Sequence, residues 1–258
     1  ALFCTTGAVS ASAESNRYSE NYDNAVATRV AYDTEEIYYT RREDTHIKTI
    51  KEVPLYSQFN EYPNSCGPTA GAIIVGFYDA QYENLIPNFD PLLPTGGFKR
   101  LDKETIPKVV GELYTLMRTN VDDVGVSQPD CINGLKTYVR NHGQNLTYND
   151  IKSGSTVSQQ KAINAVNNNH PSIIFCSKMD ICQFGVYSGK DMVVTSHYVG
   201  GHVVVAFGVY TVKYYNGTNN FRTDVYLEVG TGISEYIRGF MKLSQTGWCN
   251  GAYEVIVN

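Results

Sequence analysis

The chain has 258 residues, 18% of them charged and 42% hydrophobic, with a formal net charge of −5. That length supports one large domain or two small lobes with a sizeable core. The mild acidity argues against a nucleic-acid partner, which would require a basic patch, and no apolar run reaches the length of a membrane-spanning helix.

The chain opens Ala1-Leu2-Phe3-Cys4-Thr5-Thr6-Gly7-Ala8-Val9-Ser10-Ala11-Ser12-Ala13. Ala11-Ser12-Ala13 fits the small-x-small pattern of a signal-peptide cleavage site, and a charged stretch begins at Glu14. Residues 1–13 therefore read as the end of a truncated secretory signal. A secreted or cell-surface protein is expected, and 20 tyrosines with sparse Lys and Arg suit an exported surface. Cleavage after Ala13 removes Cys4 and leaves Cys66, Cys131, Cys176, Cys182 and Cys249. An odd count in an exported protein leaves at least one free thiol. Two disulfides with a free Cys66 fit that count. Cys176 and Cys182 are close enough in sequence to close a short loop, which leaves Cys131 for Cys249. Five reduced cysteines fit the count equally.

Residues 14–48 are rich in Asp, Glu, Arg, Asn and Tyr and poor in aliphatics. Such a stretch buries little by itself. It reads as a polar extension, tether or pro-segment ahead of a domain spanning residues 49–258. Lys51-Glu52-Val53-Pro54-Leu55-Tyr56 is a short extended entry that leads into a polar loop.

Cys66 stands where that loop turns into an apolar helix, in the run Gln58-Phe59-Asn60-Glu61-Tyr62-Pro63-Asn64-Ser65-Cys66-Gly67-Pro68-Thr69. Ala70, Ile73, Ile74, Phe77 and Tyr78 follow at helical spacing. A helix N-terminus presents free N–H groups and a partial positive charge, which favour the thiolate over the thiol. Pro68 suits the first turn, where its missing N–H costs nothing, and Gly67 allows another group to approach the sulfur. Gln58 is placed to aim an amide N–H at a developing oxyanion.

A Pro- and Gly-rich connector runs from Ile86 to Gly97. Ile106, Val109, Val110, Leu113, Leu116 and Met117 then form an amphipathic stripe. Ser127-Gln128-Pro129-Asp130 reads as a helix start, with Leu135, Tyr138 and Val139 on the buried face and Gly143 as the stop. Thr156-Val157-Ser158-Gln159 has capping-box spacing before a helix that ends near Asn167 to His170. After Pro171 the signal changes to strands. These are Ser172–Cys176, Val203–Tyr210, Val225–Val229 after the Asn216–Asn220 turn, Gly239–Leu243 and Ala252–Val257. Helices first and strands later predict an α+β chain.

A nucleophilic cysteine needs a base that takes its proton and returns it to the leaving amine. Among His46, His142, His170, His197 and His202, the last is the best placed. It opens an apolar strand and follows Gly200-Gly201. His142 sits at a helix C-terminus, where a cation is welcome on structural grounds alone. Neither the Cys176/Cys182 pair nor the His197/His202 pair has the spacing of a zinc site.

Val53-Pro54-Leu55-Tyr56-Ser57-Gln58, Cys66-Gly67-Pro68-Thr69 and Gly201-His202-Val203-Val204-Val205 together resemble the papain-like cysteine peptidases. The likeness is closest to the bacteriocin-leader-processing branch and its secreted bacterial relatives. It runs from about Glu52 to the C-terminus and covers the middle loosely. It implies a helical lobe carrying the cysteine, followed by an antiparallel β lobe carrying the histidine, with the cleft between them. It also implies that Gln58 and the Cys66 N–H form the oxyanion hole.

The family's third catalytic position, an Asp or Asn on the strand after the histidine, orients the imidazole. Here that strand reads Asp224-Val225-Tyr226-Leu227-Glu228-Val229-Gly230-Thr231-Gly232, with no Asp-Pro or Asn-Ser-Trp element. Glu228 is the nearest acid, although a hairpin centred on the Asn216–Asn220 turn sets His202 opposite a residue near Thr231 to Ser234. The expected activity is that of a cysteine peptidase acting on peptide or protein substrates, without metal or organic cofactor. Two alternatives stay open. One is hydrolysis of cell-wall peptides or acyl transfer with the same dyad. The other is a catalytically degenerate protein used for binding or adhesion.

Overall fold

The computed structural model describes residues 31–89, 104–121, 123, 125–187, 189–243 and 248–258. The signal-like residues 1–13, the first part of the polar stretch and much of the connector after Ile86 lie outside the described residues. Two strands come first, β1 (Ala31–Tyr39) and β2 (Arg41–Thr49). Three helices follow, α1 (Cys66–Asp79), α2 (Thr105–Leu116) and α3 (Gln128–Asn141). Then come β3 (Leu146–Asp150), a small ribbon of β4 (Lys152–Ser153) and β5 (Thr156–Val157), and α4 (Gln159–Asn167). The chain finishes with β6 (Ser172–Tyr187), β7 (Lys190–Asn216), β8 (Asn219–Gly230), β9 (Arg238–Lys242) and β10 (Cys249–Val257).

The helices form where the apolar spacing puts them. α2 buries Ile106, Val109, Val110 and Leu113. α3 is capped by Ser127, whose Oγ accepts from the Asp130 N–H at 3.2 Å, and it stops at His142 and Gly143, the latter at φ +82°. At α4 the cap is Ser158, which accepts from the Lys161 N–H. The expected Thr156 instead belongs to β5. α1 is buried on nearly every side because α2 and α3 pack against it from one side and β7 from the other.

The expected helical lobe followed by a β lobe is not what the chain builds. Among the described residues strands predominate, two of them precede the helices, and the antiparallel sheet closes on itself. β7 pairs with β8, β8 with β9, β9 with β6, and β6 returns to β7. The cause lies in two stretches that fall outside the strands expected from the sequence. Residues 31–49 supply β1 and β2, which add to β7. Residues 177–201 extend the two short apolar strands into one hairpin of β6 and β7, turning at Gly189 with φ +73°. Antiparallel strands can leave one face in solvent, so the polar stretch 31–49 suits them.

β7 has 27 residues, and a flat strand of that length would extend about 90 Å. It bends instead. Opposite β6, two steps from Cys176 to Lys178 match three from His202 to Val199, so a bulge falls at Gly200-Gly201. Gly200 sits there at φ +124°, a conformation that side-chain-bearing residues avoid. A bulge bends the strand and redirects the side chains beside it.

The cysteines do not make the expected disulfide loop. Cys176 and Cys182 lie on the same extended strand, six positions apart, which separates them by roughly 20 Å. Cys131 lies in the core over α1, whereas Cys249 packs in a second cluster with Cys176 and Trp248. None of the five described cysteines is joined in a disulfide.

Candidate active site

Cys66 is the first residue of α1 and is 7% exposed. The first N–H groups of a helix have no intrahelical acceptor, and here the first turn holds no acidic side chain to compete for them. Ser65 precedes Cys66 without capping the helix through its side chain. Its Oγ and that of Thr69, one turn further on, are buried and have no hydrogen-bond partner. Gly67 is required by packing. A Cβ there would stand 2.5 Å from Val126 Cγ1 and 3.3 Å from Cys131 Sγ. The close approach therefore comes from the α3 side of the core, not from a group reaching for the Cys66 sulfur. Burial, with Cys66 close by, pushes the Cys131 thiol far up.

His202 lies directly after the Gly200-Gly201 bulge and is 2% exposed. Its Nε2 lies 2.6 Å from the main-chain carbonyl oxygen of Thr231. Thr231 follows β8, at the start of the turn toward β9, and is fully buried. The Gln58 N–H donates to the carbonyl of Gly232 at 2.9 Å. A Cβ on Gly232 would stand 3.5 Å from Thr69 Cγ2 and 4.0 Å from Gln58 Cγ. The Thr231-Gly232 segment thus touches the Gln58 loop, the first turn of α1 and the His202 ring. Val203, next to His202, packs in the same apolar cluster as Cys66, Phe59 and Phe175. Gln58, His202 and the first turn of the helix that Cys66 opens, from three distant parts of the sequence, meet at this segment.

Glu228 does not join them. Its Oε2 accepts from Tyr210 Oη at 2.7 Å and from Thr49 Oγ1 at 3.0 Å, and its Oε1 pairs with the Arg238 guanidinium. Both carboxylate oxygens are therefore engaged in fastening β2, β7, β8 and β9 together. Burial raises the Tyr210 hydroxyl to about 12, with the adjacent Glu228 carboxylate adding to the shift. The hairpin register that set His202 opposite Thr231 to Ser234 agrees with the structure, whereas the search for an acid does not. A main-chain carbonyl leaves no signature in a sequence, because every residue has one.

The other histidines lie on other parts of the chain. His142 caps α3, with its ring stacked 4.2 Å from that of Tyr138 and Nδ1 2.9 Å from the Tyr138 carbonyl. His170 Nδ1 pairs with Glu254 at 2.7 Å. His46 lies on β2, opposite Tyr210 of β7. His197 lies on β7, between Asp33 of β1 and Asp180 of β6.

Chemically, the arrangement offers a thiol at a helix N-terminus, an imidazole whose Nε2 is held by a carbonyl, and an amide-bearing side chain on an adjoining loop. These are the parts of acyl transfer through a thiolate. A family model described as the Peptidase_C39 like family matches residues 50–240. That match carries a relationship to papain-like cysteine peptidases. No curated protein and no solved structure matches the chain.

Proposed function

The chain belongs to the Peptidase_C39 like family, and on that premise we propose that it cleaves peptide bonds with Cys66 as nucleophile and His202 as general base and acid. The observation that carries this reading is the convergence of Gln58, the Cys66 end of α1 and His202 on Thr231-Gly232. In the proposed cycle, His202 takes the Cys66 proton and the thiolate attacks the scissile carbonyl. The Cys66 N–H and the Gln58 amide stabilise the oxyanion. The tetrahedral intermediate collapses with proton transfer from His202 to the leaving amine, giving a thioester. Water, deprotonated by His202, then hydrolyses the thioester and restores the thiol.

Selective alkylation tests the nucleophile. Burial raises Cys182 and Cys249 to about 11, and Cys131 is pushed up further, so these thiols are poor competitors. Iodoacetamide at mildly acidic pH should modify Cys66 first, as mapped by peptide mass spectrometry. A Cys66 that reacts no faster than a small free thiol sinks the proposal. Cys66→Ala should lower turnover by several orders of magnitude.

The finer assignment to the bacteriocin-leader-processing branch rests on Cys66-Gly67-Pro68-Thr69 and Gly201-His202-Val203. Double-glycine leader peptides, unstructured protein and peptidoglycan fragments, assayed side by side, separate leader processing from general proteolysis and cell-wall hydrolysis. Transfer of the acyl group to an added amine in the same assays identifies a transferase. Export is proposed on the Ala11-Ser12-Ala13 pattern and is tested by the N-terminus and location of the mature protein.

A further inference from the structure

Resting on the reading of His202 as general base, we propose that Thr231 is its positioning residue. The main-chain carbonyl of Thr231 takes the place of a side-chain acid or amide, and its own hydroxyl holds that carbonyl in register.

A carbonyl oxygen can only accept a hydrogen bond. At 2.6 Å from Thr231 O, His202 Nε2 must therefore carry the hydrogen. In the neutral ring this makes Nδ1 the basic nitrogen, and the tautomer is fixed by the partner on the other nitrogen. The orienting role that an acid performs elsewhere is thus available from the backbone, provided that the backbone is rigid.

Thr231 supplies that rigidity. Its N–H donates to the Ile237 carbonyl at 3.0 Å. Its Oγ1 donates to the Tyr236 carbonyl at 2.5 Å and accepts from the Ile233 N–H at 3.0 Å. One hydroxyl therefore ties both ends of the turn, whose far side is the single 3-10 turn Ser234–Tyr236. Gly232, at φ +72°, reverses the chain directly after the carbonyl, and its own carbonyl is tied to Gln58. Thr231 and His202 are both buried, so water does not compete readily for the pair. A neutral carbonyl orients the ring without placing a full negative charge beside the imidazolium, and in this it differs from a carboxylate.

The experiment uses the full chain labelled with 15N-histidine, the His202 resonances being assigned by their loss in His202→Gln. The wild type should show the Nε2–H tautomer of His202. Thr231→Val removes the hydroxyl and should give mixed tautomers, together with an altered pH profile and a roughly 10- to 100-fold slower Cys66 alkylation by iodoacetamide. Thr231→Ser should restore all three. An Nδ1–H tautomer in the wild type overturns the proposal, and that spectrum decides the matter even if Thr231→Val does not fold. A folded Thr231→Val with unchanged tautomer and pH profile overturns it as well. A tautomer that follows Thr231 in a chain whose Cys66 is unreactive supports the positioning role while refuting the catalytic reading of the dyad.

Discussion

The backbone N–H of Gln58 donates to the carbonyl of Gly232 at 2.9 Å, one residue beyond the carbonyl that meets His202. The loop presenting Gln58 and the turn orienting the imidazole are therefore one hydrogen-bonded unit. This bond uses the main chain, so it survives changes in the Gln58 side chain.

Gln58→Ala separates the two roles. It should leave the melting temperature nearly unchanged while lowering kcat by about 10²- to 10³-fold, the usual cost of one oxyanion donor. Steady-state kinetics on a peptide substrate, with thermal melts of both proteins, checks this. A kcat within a factor of two of wild type removes Gln58 from the proposed site.

Glu228→Gln should behave in the opposite way. The buried carboxylate accepts from Thr49 and Tyr210 and pairs with Arg238. Neutralising it should destabilise the fold by about 1–3 kcal/mol, the range for disturbing a buried hydrogen-bonded group. Denaturant unfolding measures that loss. Alkylation of Cys66 in the folded variant should keep the wild-type rate.

The helices and both ends of the proposed dyad were legible in the sequence because side-chain chemistry writes them. Cys66 before Pro68, the stripe from Ile106 to Leu113, the Ser127 cap and the Gly-Gly-His at a strand start each follow from local rules. The closed ring was not legible. Residues 31–49 and 177–201 pair through backbone groups; the polar composition of the first resembles an extension, and the apolar residues of the second are broken up by Gly185, Gly189, Gly200 and Gly201. The same limit hid the partner of His202. A carbonyl of Thr231 is invisible next to a candidate carboxylate at Glu228, and only the register of β7 with β8 points beyond Glu228.

The bulge ahead of His202 gives a paired test. Gly200 lies at φ +124°, so Gly200→Ala should strain the backbone by about 1–3 kcal/mol and slow Cys66 alkylation by turning His202 aside. A Cβ at Gly201 would meet open space, so Gly201→Ala should be close to neutral in unfolding. Equal stability of the two variants would contradict the bulge.

Cys176 of β6 faces Cys249 of β10 in register. The Ser177 N–H donates to the Trp248 carbonyl at 2.8 Å, which makes Cys176–Cys249 a non-hydrogen-bonded pair with Cα atoms about 4.5 Å apart. That spacing is within reach of a disulfide. Mild treatment with diamide should cross-link Cys176 to Cys249 and leave no Cys176–Cys182 bridge, as read by non-reducing peptide mapping.

Glu254 sets an acid limit. Burial acts to raise its carboxyl, but hydrogen bonds from Asn149 and His170 outweigh it and hold the group below its ordinary value of 4.5. A carboxyl depressed in the folded state adds stability that is fully present above the unfolded value. That stability is lost as pH falls through the folded value. Urea midpoints measured from pH 6 down to pH 3 should show this loss in the wild type and a flatter profile in Glu254→Gln.

The closed ring is unevenly sealed. β7 and β8 share eleven register pairs and β6 and β7 share fifteen, whereas the β6–β9 ladder has two, Ile181–Met241 and Cys182–Phe240, beside the Phe184–Phe240 ring contact. Local opening takes the route of fewest broken contacts, so hydrogen exchange is expected to be fastest, among the ring's strand pairs, between β6 and β9. β9 leads back through the short turn to Thr231, whose N–H is tied to the Ile237 carbonyl just before that strand. Exchange of the Thr231 amide should then rise and fall with that of the β6–β9 amides.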